Sequence, residues 1–177
     1  MSPMDQPPRD ALTAEQQEVW FAWMRVALRM TYEMNRQLQA DSPLSLPDYH
    51  VLNALADSPG ERLQVGALAA RIGWERSRLS HHLQRMSGRG LVARTASGSD
   101  RRATDATLTD AGRSALLAAT PDHARLVRTL FFDGLDPALL APLRTALEQV
   151  HAQLLAEGTL PSPGAPQHRL AGLGDGD

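Results

Sequence analysis

The sequence predicts a mainly α-helical fold with one small β hairpin, arranged as a winged helix-turn-helix domain with long helices on either side. Three observations predict it. Apolar residues recur at three- and four-residue spacing along most of the chain, as on amphipathic helices. Two short helical segments are separated by a tight turn at Gly73, and a basic hairpin follows them directly. Two such helices and a hairpin are the parts of a winged helix-turn-helix.

The first predicted helix begins at Thr13, whose hydroxyl can cap the free amides while Gln16 reaches back to the cap. It extends to about Gln39, and Asp41-Ser42-Pro43 ends it. Its periodic apolar residues are Trp20, Trp23, Ala27, Met30, Met34 and Leu38.

The next two helices are shorter. Ser45 followed by Asp48 is a second cap signal, and the turn sequence Asp57-Ser58-Pro59-Gly60 ends the helix that it opens. A third helix spans about 65–71 and ends at Gly73.

The fourth predicted helix runs from about Glu75 to Ser87 and separates an apolar face from a polar face. Gly88 and Gly90 end it, because glycine tolerates the left-handed backbone that closes helices. The apolar face suits the core and consists of Leu79, Leu83 and Met86. The polar face begins at the N-terminus, the end that enters the major groove in this motif, and consists of Ser77, Arg78, His81 and Arg85.

The hairpin and two further helices complete the pattern. Residues 91–95 and 104–108 alternate apolar and polar side chains, as strands do, around a small arginine-rich tip. Thr109 caps a helix that we expect to kink near Pro121, because proline lacks the amide that the helix needs. Asp136-Pro137 opens the last helix, although Pro142 favours a start one turn later. Its apolar seam is Leu140, Leu143, Leu147, Val150 and Leu154.

Composition excludes several classes of protein. The chain has 177 residues and no cysteine, which excludes a disulfide scaffold, a thiolate nucleophile and a Cys-ligated zinc. Its apolar runs, such as 19–24, fall far short of the roughly 18 residues that a membrane helix needs. We therefore expect a cytoplasmic protein without a membrane partner. Proline- and glycine-rich compositions predict flexible tails at 1–11 and 158–177.

Neither a metal site nor catalysis is predicted. The six histidines lack the spacing of metal ligands, and neighbouring His81 and His82 point to different faces of their helix. The sequence contains no glycine-rich phosphate loop, nucleophile elbow or paired-carboxylate motif. We expect no cofactor and no enzymatic activity.

The charge is unevenly distributed along the chain. The formal net charge is −2, and all 18 basic residues are arginine. Nine arginines and three acidic residues lie between 61 and 104, so this segment carries +6 and the remainder −8. A basic segment in an acidic protein indicates a face that binds a polyanion, although charge alone fits a solvated face equally well.

Side-chain chemistry favours DNA as that polyanion. Arg78 can donate two hydrogen bonds to a guanine edge, and Ser77 and Ser80 suit phosphate oxygens. At the hairpin tip, Arg102 suits the negative potential of a narrow minor groove. Asp100 can hold its guanidinium by charge-assisted hydrogen bonds.

Several motifs together resemble the MarR family of bacterial transcriptional regulators over roughly residues 15–157. The most specific is Asp100-Arg101-Arg102 followed by Leu108-Thr109-Asp110-Ala111-Gly112. Two departures are His82, where the family commonly has an aliphatic residue, and Ala106, which is small for an inward strand position. The other motifs are Asp48-Tyr49-His50-Val51-Leu52, Leu68-Ala69-Ala70-Arg71-Ile72-Gly73, Ser77-Arg78-Leu79-Ser80-His81 and Gly90-Leu91-Val92.

The resemblance implies a homodimer whose two winged helices read a pseudo-palindromic operator in double-stranded DNA. Its first and last helices would form a dimerisation region at 12–40 and 110–157, around a DNA-binding domain at 45–109. Members of the family commonly repress transcription and release DNA when a small aromatic acid or phenol binds. The DNA-binding residues that the resemblance implies are Ser77, Arg78, Ser80, His81, Arg85, Asp100, Arg101 and Arg102.

The resemblance also places a ligand between the dimer helices and the DNA-binding domain. The residues implied there are Trp20, Trp23, Met24, His50 and His123. Aromatic residues at helical spacing more commonly form a core or a dimer interface. Two other functions stay open at this point: a helical dimer that binds ligands or proteins without acting on DNA, and, with least support, an enzyme.

Overall fold

The structure, a computed structural model, describes residues 11–97 and 103–163. The part described is mostly helical with a small antiparallel sheet, which confirms the predicted fold class. Its helices are α1 (Ala14–Asp41), α2 (Leu46–Ala56), α3 (Val65–Arg71), α4 (Arg76–Gly88), α5 (Asp110–Val127) and α6 (Leu140–Glu157). Its strands are β1 (Arg62–Gln64), β2 (Val92–Ala96) and β3 (Thr104–Leu108).

Both predicted capping boxes are present. The amide of Gln16 donates to the Thr13 hydroxyl at 3.2 Å, and the Thr13 amide donates to the Gln16 side chain at 2.9 Å. Ser45 and Asp48 make the same reciprocal pair at the start of α2. These side chains satisfy amides that the first helical turn leaves without partners.

The sheet has one strand more than the predicted hairpin. Strands β2 and β3 pair in antiparallel register as expected, and β1 pairs with the other edge of β3, giving the order β1-β3-β2. The alternation of a three-residue strand is too short to be recognised in the sequence. Ala106 lies at the centre of the sheet, opposite Leu63 and Arg94, and is fully buried.

Helix α2 lies at the centre of the core. Its Val51, Leu52 and Leu55 are fully buried. The predicted apolar face of α4 is buried in the same cluster, since Leu79, Leu83 and Met86 are all 0% exposed. The core of the described chain is therefore built mainly by the segment between α1 and α5.

The C-terminal part contains two helices that each include a proline. Helix α5 continues through Pro121 without interruption and ends in a π-helical turn at Arg128–Phe132. Asp136 then caps a short 3-10 turn at Pro137–Leu139, and α6 follows. The regular helix thus starts one turn after Asp136-Pro137, as Pro142 led us to expect.

Helices α1 and α6 carry large apolar side chains that the other described residues leave exposed. Within the described residues, α1 buries only Leu38, and α6 buries no residue. Of the 17 large apolar residues exposed in the described chain, 12 lie on these two helices, so α1 and α6 have an apolar surface that no other described element covers. The exposed members on α1 and α6 are Val19, Trp20, Phe21, Trp23, Val26, Leu28, Tyr32, Leu140, Leu147, Val150, Leu154 and Leu155.

Candidate nucleic-acid interface

A glycine turn fixes the angle between α3 and α4. Gly73 has a φ of +71°, a left-handed conformation that suits glycine. The amide of Trp74 donates to the Ala69 carbonyl at 2.8 Å, and that of Gly73 donates to Ala70 at 3.3 Å. This pair of bonds is a Schellman motif, which ends α3 and sets the position of Trp74 before α4 begins.

Helix α4 ends with a second Schellman motif. Gly90 has a φ of +74°, and the amide of Leu91 donates to the Met86 carbonyl at 3.0 Å. The prediction that both glycines act as left-handed stops is half wrong, because Gly88 belongs to α4 and only Gly90 has a positive φ. Gly88 precedes the cap, where ordinary helical backbone is still required.

The face of α4 opposite the core presents the predicted polar side chains to solvent. Ser80 is partly exposed. The other four polar residues are exposed, namely Ser77, Arg78, His81 and Arg85. Arg78 and Arg85 also line one side of a cleft whose other side is formed by residues 39–48.

The guanidinium of Arg78 lies over the indole ring of Trp74. Its Cζ atom is 4.0 Å from the ring centroid, within the range of a cation–π interaction. Trp74 also meets the edge of the His82 ring, with centroids 5.4 Å apart and planes at 77°. Trp74 is not among the site residues predicted from the sequence; the signal that the sequence contains is its spacing of four residues from Arg78 and eight from His82.

A buried carboxylate joins α4 to the start of α2. Oδ1 of Asp48 lies 3.0 Å from Nε2 of His82, and Oδ2 lies 2.8 Å from Nη1 of Arg89. Asp48 is only 2% exposed. Burial by itself raises the pKa of Asp48, but hydrogen bonds from His82, Arg89 and Ser45 outweigh it and hold the pKa well below its usual range.

The contacts of Asp48 explain why α4 has a histidine at position 82, where the family commonly has an aliphatic residue. His82 is buried and Arg85 donates to its Nδ1 at 2.9 Å, so the ring contacts a charged group through each nitrogen. Because an arginine N–H can only donate, Nδ1 accepts this bond, while Nε2 faces Asp48. The imidazole fills a core position and at the same time provides a polar link that an aliphatic side chain lacks.

The wing, which is the hairpin of β2 and β3, is joined to α5 at its base. The hydroxyl of Thr109 accepts from the amide of Gly112 at 3.0 Å and lies 2.9 Å from the carbonyl oxygen of Leu91. Gly112 is buried directly against that carbonyl. This contact gives the physical reason for the Leu-Thr-x-x-Gly motif. The predicted wing residues Asp100, Arg101 and Arg102 lie outside the described residues.

The five predicted ligand residues lie in different environments. Trp20 and Trp23 are exposed on α1, and Met24 is partly buried. His123 is buried, with its ring 4.4 Å from that of Tyr49 and its Nδ1 3.4 Å from Gln37. His50 is exposed on α2.

Both histidines are shifted towards the neutral form. Burial lowers the pKa of His123, and the nearby His50 lowers it further. The surrounding protein lowers the pKa of His50 as well, by removing water from the ring. Two clefts of the described chain, of about 710 and 490 Å³, are lined by other residues.

The described residues contain neither a metal-binding cluster nor a membrane span. No group of three or more His, Asp or Glu side chains there could hold a metal ion. No helix within 11–97 or 103–163 is long and apolar enough to cross a bilayer.

Comparisons with known proteins agree with this geometry. A profile of the MarR family matches residues 42–103. The transcriptional regulator HosA of Escherichia coli O127:H6 (strain E2348/69 / EPEC) is 32% identical over 112 residues, which are 63% of this chain and 75% of HosA.

Two solved structures extend the comparison. Sco3205, a MarR family transcriptional regulator from Streptomyces coelicolor solved in complex with DNA, has a TM-score of 0.80 and 36% identity, covering 89% of this chain and 98% of its own. CouR from Rhodococcus jostii RHA1, solved with p-coumaroyl-CoA, has a TM-score of 0.65 and 25% identity over 85% of this chain and 100% of its own. The winged helix described above, together with these matches, identifies the chain as a member of the MarR family of transcriptional regulators.

Proposed function

We propose that two copies of this chain form a homodimer that binds a pseudo-palindromic operator in double-stranded DNA. The observation that carries the proposal is the exposed polar face of α4, opposite the buried Leu79, Leu83 and Met86. Arg78 and His81 would face the bases, and Ser77, Ser80 and Arg85 would hold the phosphate backbone. Asp100, Arg101 and Arg102 of the wing would add contacts to the backbone and the minor groove.

The distribution of charge supports DNA as the partner. The +6 of residues 61–104 lies in the segment that contains α3, α4 and β2, and the rest of the chain carries −8. In a dimer, two basic segments would be joined by an acidic body, which repels phosphate away from them. Contact with DNA is then favoured along the winged helices.

The uncovered apolar surface of α1 and α6 supports the homodimer. An apolar surface of this size on a single chain is typical of a protein–protein interface. A second copy supplies the same surface, which a two-fold axis pairs with itself. We assign the dimerisation region to 12–40 and 110–157, and the DNA-binding domain to 45–109.

Salt dependence of binding tests the DNA-binding function. A duplex enriched from random DNA by the purified protein should bind with a log affinity that falls linearly with log salt, with a slope of about −0.9 for each phosphate contacted. A scrambled duplex of equal length serves as the control. A curve that stays flat from low to moderate salt contradicts the proposal and favours a helical module that binds ligands or proteins without acting on DNA.

Replacing Arg78 with alanine should relax the sequence preference. A bidentate contact between arginine and guanine is worth about 1–3 kcal/mol of discrimination, so affinity for the enriched duplex should fall by that amount while affinity for the scrambled duplex changes little. Binding titrations with both duplexes measure the difference. Arg144→Ala, which removes an exposed arginine from α6, is the matched control and should leave both affinities nearly unchanged.

We further propose that the protein is a repressor released by a small aromatic or phenolic ligand near Trp20, Trp23, Met24, His50 and His123. The His123 ring lies 4.4 Å from that of Tyr49, and both His123 and the nearby His50 are shifted towards the neutral form, which suits the hydroxyl or carboxylate of such a ligand. CouR, a relative by structure, was solved with p-coumaroyl-CoA. Release of the enriched duplex by aromatic acids, and expression from a reporter that carries it, test this role; insensitivity to every acid tried would contradict it.

A further inference from the structure

Trp74 is in contact with α4 through two side chains that lie one turn apart. The Arg78 guanidinium lies over the ring, with Cζ 4.0 Å from its centroid, and the edge of the His82 ring meets it at 5.4 Å. Residues four apart on a helix lie on the same side of it. The indole therefore lies along one turn of α4, at the end nearest the helix N-terminus.

Both the backbone and the ring of Trp74 are held in place. The Schellman motif at Gly73 fixes the backbone through the bond from the Trp74 amide to Ala69. The ring packs partly buried against the core and against His82. His82 is held in turn by Asp48 and Arg85, so a continuous series of contacts leads from the buried Asp48 to Trp74.

The stacked position leaves the hydrogen-bonding groups of Arg78 available. A cation–π contact uses the face of the guanidinium, whereas its five N–H donors lie in the plane. Arg78 donates no hydrogen bond to any of the residues described, and its side chain is exposed. A guanine edge presents two acceptors in fixed positions, so a guanidinium that is already oriented loses less freedom on binding than a mobile one.

We propose that Trp74 is a positioning residue that determines base specificity by holding the guanidinium of Arg78 in the orientation that reads a base edge. The inference rests on the proposed function, in which Arg78 contacts a base. Trp74 itself does not have to touch DNA. Its role is to restrict Arg78 before the operator is met, and His82 and Asp48 support the ring from the other side.

A double-mutant cycle tests this role. Trp74→Leu and Trp74→Phe are each made alone and together with Arg78→Ala, and affinities are measured for the enriched duplex and for a scrambled duplex. Trp74→Leu should lower the ratio of the two affinities by about 2- to 30-fold, the range expected for a lost cation–π contact. Trp74→Phe keeps an aromatic face and should retain most of the ratio. In the Arg78→Ala background, Trp74→Leu should have no further effect.

The outcomes separate this inference from the proposed function. If Trp74→Leu lowers the ratio equally with and without Arg78, Trp74 acts through the fold and the inference fails while the proposed function stands. The inference also fails, and the proposed function stands, if Arg78→Ala lowers the ratio of the two affinities and Trp74→Leu leaves it unchanged. If Arg78→Ala itself leaves the ratio intact, base reading by Arg78 fails first, and the role of Trp74 fails with it.

A measurement on the unmodified chain covers the case in which Trp74→Leu does not fold. The indole ring current should shift the Arg78 Hδ protons upfield in the NMR spectrum, and Arg78→Lys identifies these signals. Unshifted Arg78 protons in the folded wild-type protein would overturn the inference without any variant at Trp74.

Discussion

Replacing Asp48 with alanine should lower the free energy of unfolding by about 3 kcal/mol, because hydrogen bonds to a charged group contribute about 1.5–3 kcal/mol and a buried donor left without its partner costs about 1–3 kcal/mol. The carboxylate is 2% exposed and contacts His82 at 3.0 Å and Arg89 at 2.8 Å. It also closes the capping box with Ser45. Alanine removes all three interactions at once and leaves Nε2 of His82 buried without a partner. Chemical denaturation at pH 7 measures the loss.

The same carboxylate should make stability depend on pH. Its pKa is lower in the folded protein than the value of about 3.9 in an unfolded chain, so the folded state releases the proton more readily. The stability that Asp48 provides is therefore fully present above about pH 5 and is lost as the pH falls through about 4 and below. The difference in the free energy of unfolding between wild type and the Asp48→Asn variant should become smaller as the pH falls through that interval.

An exposed ion pair provides the control for Asp48. Glu33 lies 3.2 Å from Arg36 on α1, and both side chains are at least 32% exposed. Glu33→Ala should cost less than about 1 kcal/mol, because water screens such pairs. A similar small cost for Asp48→Ala would show that the buried network contributes no more than a surface pair.

Much of the fold follows from local signals in the sequence. Thr13 and Ser45 mark their helix starts through short-range hydrogen bonds, and Gly73 marks the turn of the helix-turn-helix through its left-handed backbone. Interactions of this kind span three to five residues, so residue types at fixed spacing reveal them. Thr109 marks the start of α5 in the same way, and α5 includes Pro121 as an interior residue.

The remaining features depend on contacts between distant parts of the chain. Strand β1 is defined by its pairing with β3, more than 40 residues away, rather than by a pattern of its own. In the sequence, His82 is only a departure from the family pattern. Its role follows from its contact with Asp48, which lies on another helix. The polar face of α4 was predictable, but the position of the Arg78 guanidinium over Trp74 required the turn geometry as well.

The apolar residues of α1 illustrate a different limit. Their spacing predicts a helix correctly, but periodicity does not distinguish a core from an interface or a ligand site. Within the described residues, Trp20 and Trp23 are exposed and take no part in the core. Their spacing does not say whether a second copy or a ligand covers them, and for that reason a dimer and an effector belong to the proposal rather than to the fold.

Gly112→Ala should destabilise the protein by about 3 kcal/mol or more, at or above the upper end of the usual cost of overpacking a core. A methyl group at this position would overlap the carbonyl oxygen of Leu91, and it would press on the side chain of Leu108 at 3.1 Å. Backbone atoms yield less readily than the end of a flexible side chain. To make room, α5 has to move away from the start of β2 and break the contacts of Thr109 with Leu91 and Gly112.

The matched control for this change is Gly66→Ala, in α3. Nothing lies within 4 Å of a methyl group there, and the backbone is helical, so alanine should be neutral or more stable by up to about 1 kcal/mol. Thermal and chemical denaturation of both variants measure the difference. Equal stabilities would contradict the close approach of α5 to the wing. Since Gly112 connects the base of the wing to α5, its packing also holds the wing beside α4, and any Gly112→Ala protein that folds should bind the enriched duplex more weakly than Gly66→Ala.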